Sequence, residues 1–181
     1  MPSQSRRMWY LLSVLIRIKK ARNEDSRHSL TCIRADGTTV GQKTTDFFIQ
    51  HDLTHYAVET ALGLRHAFWG LIASGWTFSD FESRTEGSAK SRALHTEAHI
   101  AEALVGTYDL ELTAGRIADS VRIGRVAEVC RAHSVEAIDI AGFLPDIRSR
   151  RAELHVRWAK LNPADAMELV FDNGKQLCVT D

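Results

Sequence analysis

The sequence predicts an α+β fold, in which an antiparallel sheet built from both ends of the chain is covered on one face by helices. Strand-like alternation and a hairpin signal fill the first 45 residues. Segments with helical spacing continue to residue 161, and a second hairpin signal lies near the C-terminus. Strands at both ends with helices between them are typical of this fold class.

The first predicted strand is Leu11–Lys20. Within it Val14, Ile16 and Ile18 alternate with residues that become polar toward its end, as in a strand with one buried face. The apolar run Met8–Ile16 is too short to span a membrane, and basic residues follow it where a signal peptide would need a small-residue cleavage site. Residues 1–7 are therefore interpreted as a loose leader, with Met8 as an alternative start.

The next two strands are predicted to form a hairpin. His28–Arg34 is rich in Thr, Leu, Cys and Ile, and Thr38–Thr44 follows it closely. Asp36-Gly37 between them predicts a two-residue type I′ turn, which needs a positive φ at both central residues. Residues 8–45 would thus form a β-meander.

Residues 46–161 are predicted to be mainly helical. Gly63 and Gly106 are interpreted as helix ends, Trp76–Gly87 as a loop, and Pro145 as an interruption before the last helix. The predicted helices are His51–Leu62 with Asp46–Gln50 leading into it, Leu64–Ser74, Ser88–Val105, Ile117–His133 and Asp146–Leu161.

The last 20 residues, 162–181, are predicted to form a C-terminal hairpin. Asn162-Pro163 ends the preceding helix. Met167–Phe171 and Gln176–Val179 then flank an Asn-Gly pair, which favours a tight turn. We found no repeat and no linker, so the expectation is one domain over residues 1–181.

Composition excludes several classes of protein. The chain has 181 residues, with 23 Lys+Arg and 23 Asp+Glu. Its zero formal net charge argues against a nucleic-acid or membrane-surface binder, which usually carries a basic excess. The three cysteines, Cys32, Cys130 and Cys178, form no CxxC motif and predict reduced thiols in a cytoplasmic protein.

The most informative motif is His51-Asp52-Leu53-Thr54-His55, followed by Glu59. At about 100° per residue, His55, Glu59 and Asp52 lie within about 100° of His51 on a helix. Two histidines four residues apart can bind one metal ion, and a carboxylate can complete the site. Zinc or another divalent transition metal is therefore the expected cofactor, with Asp52 as general base or as an orienting group.

This motif is similar in form to the His-Glu-x-x-His of zinc peptidases, with Asp52 in place of the longer glutamate. In one group of these peptidases a downstream helix supplies a glutamate ligand. The resemblance in layout implies Glu97 or Glu102 for that role here.

A second histidine pair lies on the predicted helix Ser88–Val105. His95, His99 and Glu102 fall within about 60° of one another on a helical wheel. They could join the first pair in a metal site between helices. The alternative is an ordinary solvated face, because the apolar residues of this helix lie opposite.

Two functions remain open from the sequence. The first is metal-assisted hydrolysis of a small-molecule or peptide substrate. The second is a non-enzymatic regulatory or interaction module in which the His–Asp helix is structural. An exposed aromatic patch at Trp69–Phe81 and a stable homodimer would favour the second function; the aromatic residues there could also form a core plug or line a ligand pocket.

Residues 14–82 also resemble a family of small uncharacterised bacterial proteins. The resemblance rests on Leu30–Gly37, Phe47-Phe48, the His51–Glu59 segment, Phe68–Leu71 and Gly75-Trp76. That family shares a β-hairpin, a helix similar to HDLTHYAVE and a glycine/aromatic segment, without an assigned activity. The resemblance implies a bacterial, cytoplasmic protein.

Overall fold

The alternation of the first strand places Val14, Ile16 and Ile18 on the covered face of a four-stranded antiparallel sheet. The α+β class is thus confirmed. The structure is a computed structural model, and the residues it describes are 13–23, 26–82 and 94–172.

The sheet has the order β3-β2-β1-β4, so the C-terminal strand pairs with the first one. Ile16 lies opposite Cys32 on one side and opposite Leu169 on the other. The elements in chain order are β1 (Val14–Lys19), β2 (His28–Arg34), β3 (Thr39–Thr44), α1 (Asp46–Leu62), α2 (Phe68–Ala73), α3 (Phe78–Glu82), α4 (Thr96–Ala114), α5 (Asp119–Ala132), a 3₁₀ turn (Ala141–Phe143), α6 (Leu144–Lys160) and β4 (Ala166–Phe171).

Helix α1 lies between two apolar cores. Its residues Leu53 and Ala57 pack with the covered face of the sheet, α2 and the C-terminal half of α6. Val58 and Leu62 pack instead with α4, α5 and the start of α6. Because neither core leaves much of α1 open to solvent, polar side chains on this helix are also buried.

The hairpin between β2 and β3 differs from the predicted type I′ turn. Gly37 has a φ of 86°, but no positive φ occurs at Asp36. The backbone N–H of Arg34 donates to the carbonyl of Thr38, so the loop has three residues. The Asp36 carboxylate accepts the N–H and hydroxyl of Thr38 and stabilises this longer turn.

Helix α1 begins five residues earlier than the predicted His51. Thr45 has extended backbone angles, and Asp46 opens the first turn. Gly63 ends the helix with a φ of 67°, as predicted.

Helix α4 shows the largest departure from the predicted boundaries. It begins at Thr96, after His95, and continues through Gly106 to Ala114. A glycine inside a helix costs only about 1 kcal/mol, and burial of Thr107 and Tyr108 offsets that cost. The predicted end at Gly106 was therefore wrong.

Two other helix boundaries in the structure also differ from the predicted ones. The predicted helix Leu64–Ser74 is limited to α2, and Pro145 lies in the first turn of α6 rather than interrupting the chain. Proline is well tolerated there because the N–H it lacks has no partner within the helix. The predicted strand Gln176–Val179, Cys178, the leader and residues 83–93 lie outside the described residues.

Over the residues that the structure describes, no helix combines the length and the apolar character needed to cross a bilayer.

Candidate metal site

The predicted His–Asp motif lies in the middle of α1, where both cores meet. His55 is 2% exposed, Glu59 is 0% exposed and Asp52 is 5% exposed. His51 is half-buried at the edge of the same group. Burial of an ionisable group is costly unless the group has a hydrogen-bond or ionic partner, so the contacts of each of these side chains are informative.

His55 is held by Glu59 one turn further along α1. Its Nδ1 lies 3.1 Å from Oε1 of Glu59, while Oε2 of Glu59 accepts the backbone N–H of Trp69. Burial lowers the pKa of His55 to about 4, and burial raises the pKa of Glu59 well above its ordinary value. His55 is therefore a neutral imidazole at pH 7.

His51 is held by a residue of another helix. Its Nδ1 lies 2.7 Å from Oδ2 of Asp109 on α4. Burial lowers the pKa of His51, but the hydrogen bond and charge of Asp109 raise it more, so the net shift is upward. Among the described residues no hydrogen bond involves Nε2 of His51.

Both histidines thus use Nδ1 for a carboxylate and leave Nε2 for another partner. Nε2 of His55 lies 3.7 Å from Oε1 of Glu102 on α4. In the tautomer whose Nδ1–H donates to Glu59, this Nε2 carries a lone pair that faces a carboxylate oxygen. Two acceptors at this distance are stabilised by a cation or a proton between them.

One ligand atom from each of His51, His55 and Glu102 lies within 4.8 Å of the other two. The two imidazole centroids are 4.8 Å apart. Ligand atoms around a tetrahedral zinc lie about 3.4 Å apart, given bonds of about 2.0–2.2 Å. The exposed side chain of Glu102 can supply the small movement that this geometry needs.

Asp52 lies beside this group and lines the same cavity, which has a volume of about 450 Å³. Its Oδ2 is buried and has no hydrogen-bond partner within the described part of the chain. Burial raises the pKa of Asp52 to about 7, and the charge of His51 partly opposes this shift. A carboxyl with such a pKa can accept and release a proton near neutral pH.

The structure does not bring the second predicted pair to this site. His95 precedes α4 instead of lying on it, so the helical wheel did not apply to it. Its ring is 4.5 Å from the ring of His66, and the ring of His99 is 4.5 Å from that of His133. Of the three ligands predicted on that helix, Glu102 is the one that the structure places with the His51–His55 pair.

His66, His95 and Glu97 form another group with donor atoms close together. Its chemistry is less suited to a metal. Oε2 of Glu97 already accepts the backbone N–H groups of Arg65 and His66, and Nδ1 of His95 accepts the N–H of Glu97. The bond to His95 caps the start of α4, whereas the two bonds to Glu97 join α4 to the loop before α2, and all of them occupy lone pairs that a metal would need.

Asp109 is the residue that sequence reasoning missed. The predicted helix ended at Val105, so Asp109 was not considered. Glu102 and Asp109 are seven residues apart, which places them about 20° apart on a helical wheel. A longer helix through Gly106 would have shown that both face α1.

The aromatic segment Trp69–Phe81 forms no exposed patch of the predicted kind. Trp69 is 0% and Phe78 is 7% exposed, and both belong to the core beneath the sheet. Phe68, Phe78 and Phe81 also line the cavity beside His55. The segment therefore serves both as core and as cavity wall.

Comparison of the chain with protein-family models, with curated proteins and with solved structures gives no match. The geometry of the site is therefore the basis for a functional assignment.

Proposed function

We propose that the protein binds one divalent transition metal ion, zinc in the first instance, through His51, His55 and Glu102. We further propose that it uses this ion for hydrolysis, with Asp52 as the general base.

The observation that carries the proposal is the arrangement of the two imidazoles. Asp109 and Glu59 hold the Nδ1 atoms, so the Nε2 atoms remain for another partner, and Nε2 of His55 lies 3.7 Å from Glu102. Metal-binding histidines commonly donate their other ring N–H to a carboxylate, which fixes the tautomer and orients the ring. This pattern occurs twice in one turn of α1.

The donor set supports a catalytic rather than a purely structural ion. Two histidines and one glutamate are ligands known from catalytic zinc sites, which keep a fourth position open. All three ligands line the cavity, so a water molecule or a substrate can approach them. A bound zinc ion lowers the pKa of its water to about 7 and polarises the bond to be cleaved.

Asp52 is suited to the proton transfers. Hydrolysis adds the oxygen of water to an electrophilic centre and a proton to the leaving group. Asp52 would take the proton from the attacking water and return it to that group. Its buried, unpartnered Oδ2 and its raised pKa support this role.

One observation favours the non-enzymatic alternative. The 2.7 Å contact between His51 and Asp109 joins α1 to α4 without a metal. If that is its only purpose, the protein will not bind zinc at these residues.

The experiment is a hydrolysis assay on tag-free, zinc-loaded protein with chromogenic esters, amides and phosphate esters. We expect a zinc-dependent rate, which Asp52→Asn lowers by about 10²- to 10⁴-fold while the zinc content stays unchanged. We expect Asp109→Asn to weaken zinc binding by about 10- to 100-fold instead.

Equal rates for the wild type and Asp52→Asn would contradict the role of Asp52. No zinc-dependent rate with any of the three bond types would contradict the hydrolytic function. The control is His99→Ala, which removes an imidazole from α4 outside the site and should change neither quantity.

A further inference from the structure

The cavity that contains the candidate metal ligands has a second polar wall on the side of the sheet. Arg27, just before β2, and Lys43 on β3 line it. Both side chains are exposed, and within the described residues neither is paired with an acid. Cations on one wall thus face the metal ligands on the other.

Arg27 and Lys43 differ from several arginines of the chain in having no carboxylate partner among the described residues. Arg17, Arg122 and Arg148 are each paired with a carboxylate at 2.5–2.6 Å. Lys and Arg side chains beside a ligand cavity, without a carboxylate partner, are suited to bind a phosphate or another oxyanion.

Positive charge continues beyond the cavity. Arg27 and Lys43 also line a neighbouring cavity of about 350 Å³, together with Lys19, Lys20 and Arg22. Of the described residues that line it, none is acidic. The described lining residues therefore attract an anion, although the chain as a whole has no net charge.

A third wall of the metal-site cavity is aromatic. Phe68, Phe78 and Phe81 lie against each other and line it, with ring centroids 4.9 Å apart for Phe68 and Phe81. An apolar or planar group packs well on such a surface.

We infer that the substrate is a small organic phosphate whose anionic group binds between the metal position and Arg27 and Lys43. Its apolar or aromatic group packs against Phe68, Phe78 and Phe81. This inference rests on the proposed function, because it assigns a substrate class to the same site.

The probe is phenylphosphonate, whose carbon–phosphorus bond is not hydrolysed, titrated into both zinc-loaded and metal-free protein. We expect Arg27→Gln and Lys43→Gln each to weaken its binding by about 10-fold while zinc content is unchanged. Methylphosphonate, which lacks the ring, should bind more weakly than phenylphosphonate. Arg150→Gln is the control, since it removes the same charge from a residue outside both cavities.

The zinc content of the same samples separates the two proposals. Zinc-loaded protein that does not bind phenylphosphonate, or binds it equally well in both variants, would overturn the substrate class and leave the metal site standing. Benzoate binding as tightly as phenylphosphonate would overturn the assignment to phosphate. If no zinc binds, the proposed function fails. The anion site is then still identified if metal-free wild-type protein binds phenylphosphonate and the metal-free Arg27→Gln and Lys43→Gln variants do not.

Discussion

Burial decides the protonation state of the residues around the cavity. His55 is enclosed and stays neutral at pH 7, whereas His51 lies at the edge and is more readily protonated beside Asp109. A neutral imidazole is the form that binds a metal, so the two histidines differ in how strongly protons compete. The sequence showed their spacing but not this difference, which depends on the packing of α1 between two cores.

A buried ion pair outside the site gives a test at the level of single residues. Arg122 on α5 is 1% exposed, and Glu111 on α4 accepts its guanidinium and the N–H of Ile117. Burial raises the pKa of Glu111, but these hydrogen bonds and the nearby arginines lower it more, so the net shift is downward. Its stabilising effect is therefore present above the pKa of the unfolded chain, near 4.5, and is lost as the pH falls through the folded value.

We expect Glu111→Gln to lower the free energy of unfolding at pH 7 by about 1–3 kcal/mol, since the buried Arg122 loses its partner at 2.5 Å and keeps only the more distant Asp119, at 3.6 Å, among the described carboxylates. At pH 3 the variant and the wild type should differ much less. Urea unfolding at both pH values measures this. Glu128→Gln, which breaks an exposed pair with Arg125, is the control and should change stability by less than about 0.5 kcal/mol. A difference for Glu111→Gln that persists at pH 3 would contradict the assigned role of the pair.

At the level of elements, α2 is held close to the loop before it. A Cβ atom added at Gly70 would lie 1.9 Å from the carbonyl oxygen of Arg65. This neighbour is backbone, so it cannot move aside as a flexible side chain would. Glu59 also accepts the N–H of Trp69 in the same turn, which links the position of α2 to that of His55.

We therefore expect Gly70→Ala to destabilise the fold by about 3 kcal/mol, at the upper end for overpacking. Gly124→Ala is the matched control, because it lies in α5 with no atom within 4 Å of the added Cβ. That substitution should stabilise the protein by about 0.5–1 kcal/mol. Thermal unfolding of the two variants beside the wild type measures both effects. A Gly70→Ala protein as stable as the wild type would mean that α2 lies farther from Arg65.

The elements also show what sequence patterns could predict. Strands β1, β2 and β3 followed from alternation and the hairpin signal, because their periodicity is a local property. The start of α4 and its continuation through Gly106 did not, because they depend on His95 accepting the N–H of Glu97 and on burial of Tyr108. The pairing of His51 with Asp109 was missed for the same reason.

At the level of the whole molecule, the net charge of the chain did not predict the charges of the residues that line the cavities. The zero balance argued against a polyanionic partner, yet the described lining of the cavity beside Arg27 and Lys43 contains five cationic residues and no acidic one. Acidic residues elsewhere in the chain bring the total to zero without reducing this local charge. The chain's fold brings residues 27 and 43 to residues 51, 55 and 102, and this proximity is not visible in composition.

The central claim is that His51, His55 and Glu102 bind one metal ion between α1 and α4. The most direct test is calorimetric titration of zinc into tag-free, metal-free protein. Our account predicts one zinc ion per chain and loss of binding in His51→Ala and His55→Ala. It also predicts marked weakening in Glu102→Gln, whose exposed side chain makes misfolding a poor explanation, and no change in His95→Ala. Absence of zinc binding, or binding that survives Glu102→Gln and His51→Ala but is lost in His95→Ala, would contradict it.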